Sequence, residues 1–166
     1  MSDSYVSTRD HAAQLRAALK SKGWNSRDVS IRADSYSLGS SIRVTIKNPA
    51  VPLHVVKALA GNHERIHRDG YGEILGGGNR FVDVSYSSAC VEILARRHIE
   101  ALETAETALR TARDNALIPI GQTGYFLGHA YNGNGVSLWS DSSHVLSANT
   151  IEYLASALAI ALQEAT

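Results

Sequence analysis

Residues 29–48 read VSIRADSYSLGSSIRVTIKN, and the fold hangs on that stretch. Apolar and polar residues alternate twice, with a short polar break between. Val29, Ile31 and Ala33 fall on one side of an extended chain, Ser30, Arg32 and Asp34 on the other. After the break SYSLGS, Ile42, Val44 and Ile46 take the inward slots, and Arg43, Thr45 and Lys47 the outward ones. Successive side chains of a strand point to opposite faces, and β-branched residues suit a pleated, half-buried surface. The pattern therefore predicts a β-hairpin with one buried face. Asn48-Pro49 ends it, because proline has no N–H for the ladder.

Working outward, Ser7 or Thr8 is placed to cap a helix over residues 9–22, with Leu15 and Leu19 on its apolar side and Gly23 as its stop. Trp24 then stands at the entrance to the hairpin and is expected to pack under it. Downstream, Pro49 and Pro52 precede a stripe of Leu53, Val56, Leu59 and Ala60. That stripe predicts a second helix, continuing through HERIHRD to about Asp69 and covering the hairpin's inner face. Residues 72–75, then GGGN, then 80–86 read as a second hairpin, with Val82, Val84 and Tyr86 inward and Phe81, Asp83 and Ser85 outward. Ser87-Ser88 cap a third helix from Ala89 to about Arg113, with Val91, Leu94, His98, Leu102, Ala105, Leu109 and Ala112 recurring at three and four. It is about 36 Å long, more than a small sheet covers.

From Asp114 the composition turns glycine- and serine-rich. YFLGHAY, the turn NGNG and VSLWS predict a third hairpin, SSHVL a short added strand, and Asn149 with Glu152 a capping-box start to a last helix over 150–164. The resulting fold class is α+β. Two β-hairpins form an antiparallel sheet packed by helices (α-ββ-α-ββ-α) in residues 1–113, and a small C-terminal ββα subdomain occupies 114–166. The last helix shows almost no polar face, so Leu154, Leu158 and Leu162 are expected to form a homodimer interface.

Composition narrows the function. The chain has 166 residues, 44% of them apolar, and a formal net charge of zero. That gives it a real core and no global field to draw it onto nucleic acid or an anionic membrane. A single cysteine, Cys90, excludes an internal disulfide and fits a reducing, cytoplasmic setting. The start MSDSYVSTRDH lacks the apolar core of a signal peptide, and the most apolar run, residues 154–162, falls short of the ~20 residues a membrane span takes.

The sharpest motif is His63-Glu64-Arg65-Ile66-His67. On a helix, H-E-x-x-H sets two imidazoles on one face, with the glutamate to activate a zinc-bound water. Gly70 and Glu73 extend it towards the metzincin spacing, with glutamate where that family has its third histidine. Yet Asn62, Arg65, Arg68 and Asp69 surround the motif with charge, and Met1 is the only methionine, so no Met-turn follows. A solvated helix end is the preferred reading, and no metal or cofactor is expected. The glycines of EILGGGNRF lack the Lys-Ser/Thr of a phosphate loop and precede a strand, which suits a turn. On the outward sheet face, Arg32, Arg43, Lys47 and Arg80, with Tyr36 and Phe81 among them, form the candidate partner-binding surface. Asp34 and Asp83 dilute it, so nucleic acid is expected to bind at most weakly.

The hairpin VSIRADSYSLGSSIRVTIKN, led in by a helix ending LKSKGW, resembles the large polyvalent protein-associated domains of phage and plasmid proteins. In those a helix leads to a strand of the type FSVRS, a break of the type GGSSI and a strand of the type IRVTW. The matching residues here are 29–34, 38–41 and 42–47, in the first half of the chain. Where those domains carry tryptophan and Asp-Gly-Pro after the second strand, this chain has Ile46 and Asn48-Pro49. The resemblance implies a mobile genetic element and a neighbourhood of proteins that shield incoming DNA. The expectation is a non-enzymatic protein whose partner is a host defence complex, an inhibitor of the anti-CRISPR or antirestriction type. A zinc metallopeptidase using HERIH and a nucleic-acid-binding regulator using the basic sheet face are the alternatives.

Overall fold

Ile42, Val44 and Ile46 are fully buried, and Arg43 between them is exposed, as the alternation predicts. The computed structural model of the chain describes residues 6–113, 115–130, 135–141 and 143–164. In order they form α1 (Thr8–Ser21), β1 (Val29–Tyr36), β2 (Gly39–Ile46), α2 (Leu53–Gly61), β3 (Asn79–Tyr86), α3 (Ser88–Leu109), β4 (Ile118–Pro119), β5 (Tyr125–His129), β6 (Val136–Ser140), β7 (Ser143–Ala148) and α4 (Ile151–Glu164). The fold is α+β, and the chain divides into two units, residues 1–90 and 91–166.

In the first unit, β1 and β2 form the expected antiparallel hairpin, Val29 opposite Ile46 and Tyr36 opposite Gly39. Helix α1 starts at a capping box. The Ser7 hydroxyl accepts from the Asp10 N–H, and the Asp10 carboxylate accepts from the Ser7 N–H. Its buried Ala12, Leu15 and Leu19 face β1 and β2, while α2 buries Leu53, Val56 and Ala60 against β3, and the two helices touch. Both therefore lie on one face of the sheet. Each fully buried Ile, Val or Leu contributes about 1.5–3 kcal/mol relative to exposure.

Three expectations are corrected here. The strand β3 pairs with β2 in parallel, Gly39 beside Asn79 and Ile46 beside Tyr86, so the sheet is mixed and 72–86 is not a second hairpin against it. The connection from Ile46 to Asn79 carries α2, and a parallel pair requires such a crossover of about a dozen residues or more. Helix α2 also stops at Gly61 instead of running to Asp69. Finally, the expected boundary after residue 113 gives way to one between Cys90 and Val91, because α3 supplies the core of the second unit.

That second unit is a four-stranded antiparallel sheet, β4-β5-β6-β7, with α3 and α4. The pairing of β5 with β6 is the expected third hairpin, though residues 132–134 of its NGNG turn lie outside the described ones. β7 is the added strand, and β4 is a further one. At the start of α4 it is the Thr150 hydroxyl, not Asn149, that accepts from the Tyr153 N–H. Leu102, Ala105 and Leu109 of α3 pack with Ile120, Leu127 and Leu138 and with Leu154, Ala155 and Leu158 of α4.

Candidate functional site

The site is built where the predicted helix fails. Beyond α2, His63 and Glu64 donate their N–H groups back to the Ala60 and Gly61 carbonyls and close the helix end. The chain then straightens along the start of β3. Arg65 and Arg80 exchange both backbone hydrogen bonds, at 2.9 and 2.7 Å, in an isolated antiparallel bridge. Arg68 bridges Ile74 in the same sense. At the tip, the Asp69 carboxylate accepts from the Tyr71 and Glu73 N–H groups, and Gly72 sits at φ +86°, open to glycine without strain. Residues 65–80 thus form a finger whose turn is Asp69-Gly70-Tyr71-Gly72, not the glycine run.

Asn79 holds the finger's base. Only 4% exposed, its carboxamide accepts from the His67 N–H and donates to the Leu75 carbonyl, both at 2.7 Å. The approach is close: a Cβ on Gly39 would stand 2.6 Å from the Asn79 carbonyl oxygen, so position 39 has no room for a side chain.

Between the start of α1, the β1–β2 turn and the base of the finger lies a cavity of about 620 Å³. His11, Arg65, His67 and Arg80 line it, with Ser35, Ser37, Ser40, Thr8 and Tyr36. No carboxylate is among the described residues lining it. At its edge His11 and His63 share a hydrogen bond, Nδ1 to Nδ1 at 3.2 Å, with their rings edge to face. That bond needs one donor and one acceptor, so the two rings cannot both be imidazolium while it lasts. Burial first, then the Arg80 guanidinium, holds both imidazoles below the ordinary histidine pKa; His63 adds to the effect on His11.

The helical geometry that the zinc-peptidase alternative requires is not formed, because His63 and His67 are not on a helix. Four residues of extended chain span about 13 Å, against the single turn that H-E-x-x-H needs. His63 faces His11, and His67 faces the cavity. Among the described residues no three His, Cys, Asp or Glu side chains converge as a metal site. Cys90 is buried, and that burial pushes its thiol pKa up.

The predicted partner surface divides. Arg32 and Arg43 stand opposite one another, exposed, with Asp83 beyond Arg43. Phe81, beside Ser41, is partly buried on that same face. Lys47 lies past the far end of β2, its ammonium donating to the Ser26 carbonyl. Arg80 is a correction. It registers with Ser40, two residues along from the Ile42–Val82 pair, so it belongs to the helix-covered face and reaches the cavity. Tyr36 is half-exposed on the cavity wall, its hydroxyl donating to the Ser40 carbonyl.

The expected dimer leucines are core residues. Leu154 and Leu158 are fully buried within the single chain, and Leu162 packs against the same cluster. Sequence reasoning missed His11, Arg65 and His67 as cavity residues. Two signals pointed to the finger: Gly61-Asn62, which suits a helix end, and Asp69-Gly70, a hairpin turn pair.

Comparison with protein-family models, with curated proteins and with solved structures finds no match to this chain. Among the described residues no helix is long and apolar enough to cross a membrane.

Proposed function

We propose that this chain is a non-enzymatic binding protein of a mobile genetic element that blocks a host defence complex by stoichiometric occupation. One observation carries the reading: large apolar side chains stand exposed at a single end of the first unit. Tyr71 is 97% exposed at the fingertip, and Ile74 and Leu75 are exposed on its returning arm. Tyr36 and Leu38 are exposed in and beside the β1–β2 turn. Aromatic and aliphatic anchors beside arginines are the composition of binding hot spots, and a protein that leaves them in water has a use for them. The resemblance of residues 29–47 to domains of phage and plasmid proteins supports the mobile-element setting, and a cytoplasmic site of action follows from it.

A nucleic-acid-binding regulator is the second reading, favoured by Arg32 and Arg43, which stand side by side on the open face. The two separate in cells. Expressed in bacteria with an active CRISPR or restriction system, the chain should restore phage plating in a dose-dependent way. Tyr71→Ser with Leu38→Ser should abolish the effect, and Arg32→Glu with Arg43→Glu should leave it intact. Unchanged plating at high expression across both kinds of system counts against the inhibitory reading.

A further inference from the structure

We propose that the free edge of β1 pairs with the same edge of a second copy of this chain, antiparallel, about a two-fold axis through Ala33. This goes beyond the inhibitory reading and does not depend on it. The two edges of the first sheet differ. That of β3 is covered at its start by the finger, where Arg65 bridges Arg80 and the Glu64 carboxylate accepts from the Val82 N–H. That of β1 has no strand beside it among the described residues. Along β1 the bonds to β2 fall on alternate residues. The Lys47 N–H donates to the Asp28 carbonyl at 2.7 Å, so the register gives Ser30, Arg32, Asp34 and Tyr36 the bonds to β2. Ile31, Ala33 and Ser35 therefore turn their backbone groups outward. Arg16 takes one of these, donating to the Ile31 carbonyl at 2.8 Å, and that oxygen keeps a second lone pair. The N–H and carbonyl groups of Ala33 and Ser35 have no partner among the described residues.

An exposed edge is ordinarily blunted by a proline, a bulge or an inward-pointing charge, because a bare one templates pairing with another chain. β1 has none of these. Its 8 residues, VSIRADSY, contain no proline and pair with β2 without a break in register. Its charges lie on the open face, and Arg32, Asp34, Ser35 and Tyr36 are exposed. The same charges choose the occupant and the register. With the axis through Ala33, Arg32 of each copy faces Asp34 of the other, at a non-hydrogen-bonded position where side chains come closest. Symmetry makes that contact twice. Moving the axis by one residue sets Arg32 opposite Arg32, or Asp34 opposite Asp34, and like charges there repel. In the favoured register the Ala33 N–H and carbonyl meet those of the other Ala33, and Ile31 meets Ser35. Each outward backbone group thereby gains a partner, and the three-stranded sheet continues into its copy.

Sedimentation velocity of the full chain decides it, over about 10 µM to 1 mM, the range that suits so short an interface. The chain should pass from one copy to two across that range. Arg32→Glu and Asp34→Arg each set like charges face to face and should weaken association about tenfold. Mixed in equal amounts, the two variants restore both opposite-charge pairs, so the mixture should associate about as tightly as the native chain. Ala33→Pro removes an outward N–H that β2 does not use, and should give a folded monomer. If it does not fold, the charge variants still decide, since both replace exposed side chains. Hydrogen exchange at Ile31, Ala33 and Ser35 should slow as concentration rises, and that at Arg32 and Asp34 should not change. A monomer at every concentration overturns the proposal and leaves the edge to a strand of another protein. So does a dimer that all three variants preserve, a mixture that associates no better than its components, or a dimer in which exchange at Ala33 is unchanged. Tyr71→Ser should leave association intact; loss of the dimer there would place the contact on the fingertip and overturn the β1 assignment.

Discussion

His11 and His63 are separated by 52 residues of chain, and their contact sets how the first unit responds to acid. Both imidazoles are held below the ordinary histidine pKa of 6.5 by burial and by Arg80. His98, in α3, is lowered too, by burial and then by Arg97. As pH falls through about 6.5 the unfolded chain takes up these protons first, so the folded state loses stability below that pH and holds it in full above. Thermal melts between pH 8 and pH 5 should show the midpoint falling on the acid side. In His63→Gln, which keeps a polar group but cannot take a proton, the fall should be shallower. Parallel slopes for the two proteins would show that the pair does not couple folding to pH. None of this was readable from HERIH as a motif, since its partner lies in the first helix and a local pattern carries no information about so distant a contact.

The finger of residues 65–80 shows why one strand pair was legible and the next was not. The hairpin of β1 and β2 rests on alternation and a short connection, both local, and its inward set was readable residue by residue. For β3 the alternation again gave the faces, but nothing in RFVDVSY tells which edge it joins or in which direction; the crossover through α2 decides that. The same alternation, carried one step further, puts Arg80 with Val82, away from Phe81. Integrity of the finger should depend on Asn79, whose carboxamide links its two arms. Asn79→Ala removes the partner of the His67 N–H and of the Leu75 carbonyl, two part-buried hydrogen bonds each contributing about 0.5–1.5 kcal/mol. Hydrogen exchange should speed up at the amides of residues 67 and 75 while those of α1 stay protected. Unchanged exchange at 67 and 75 would mean the finger is held by its backbone bridges alone.

Zero net charge leaves recognition to local features, and the first unit carries one set at a single end: exposed apolar side chains outside, cations lining the cavity. Membership of α3 in the second unit was hidden because its stripe of Leu102, Ala105 and Leu109 reads the same whichever sheet it covers. With α3 and the four-stranded sheet around it, α4 buries Leu154 and Leu158 without a second copy of the chain. Stoichiometric inhibition, the proposed function, has a direct test. Purified chain should be titrated into a purified, DNA-cleaving defence complex whose immunity the chain suppresses in cells. Cleavage should fall linearly and stop at a small whole-number molar ratio, with chain and complex co-eluting on gel filtration and Tyr71→Ser with Leu38→Ser losing both effects. Full inhibition at a small fraction of the complex would instead mark turnover, and cleavage undiminished at molar excess would contradict the account outright.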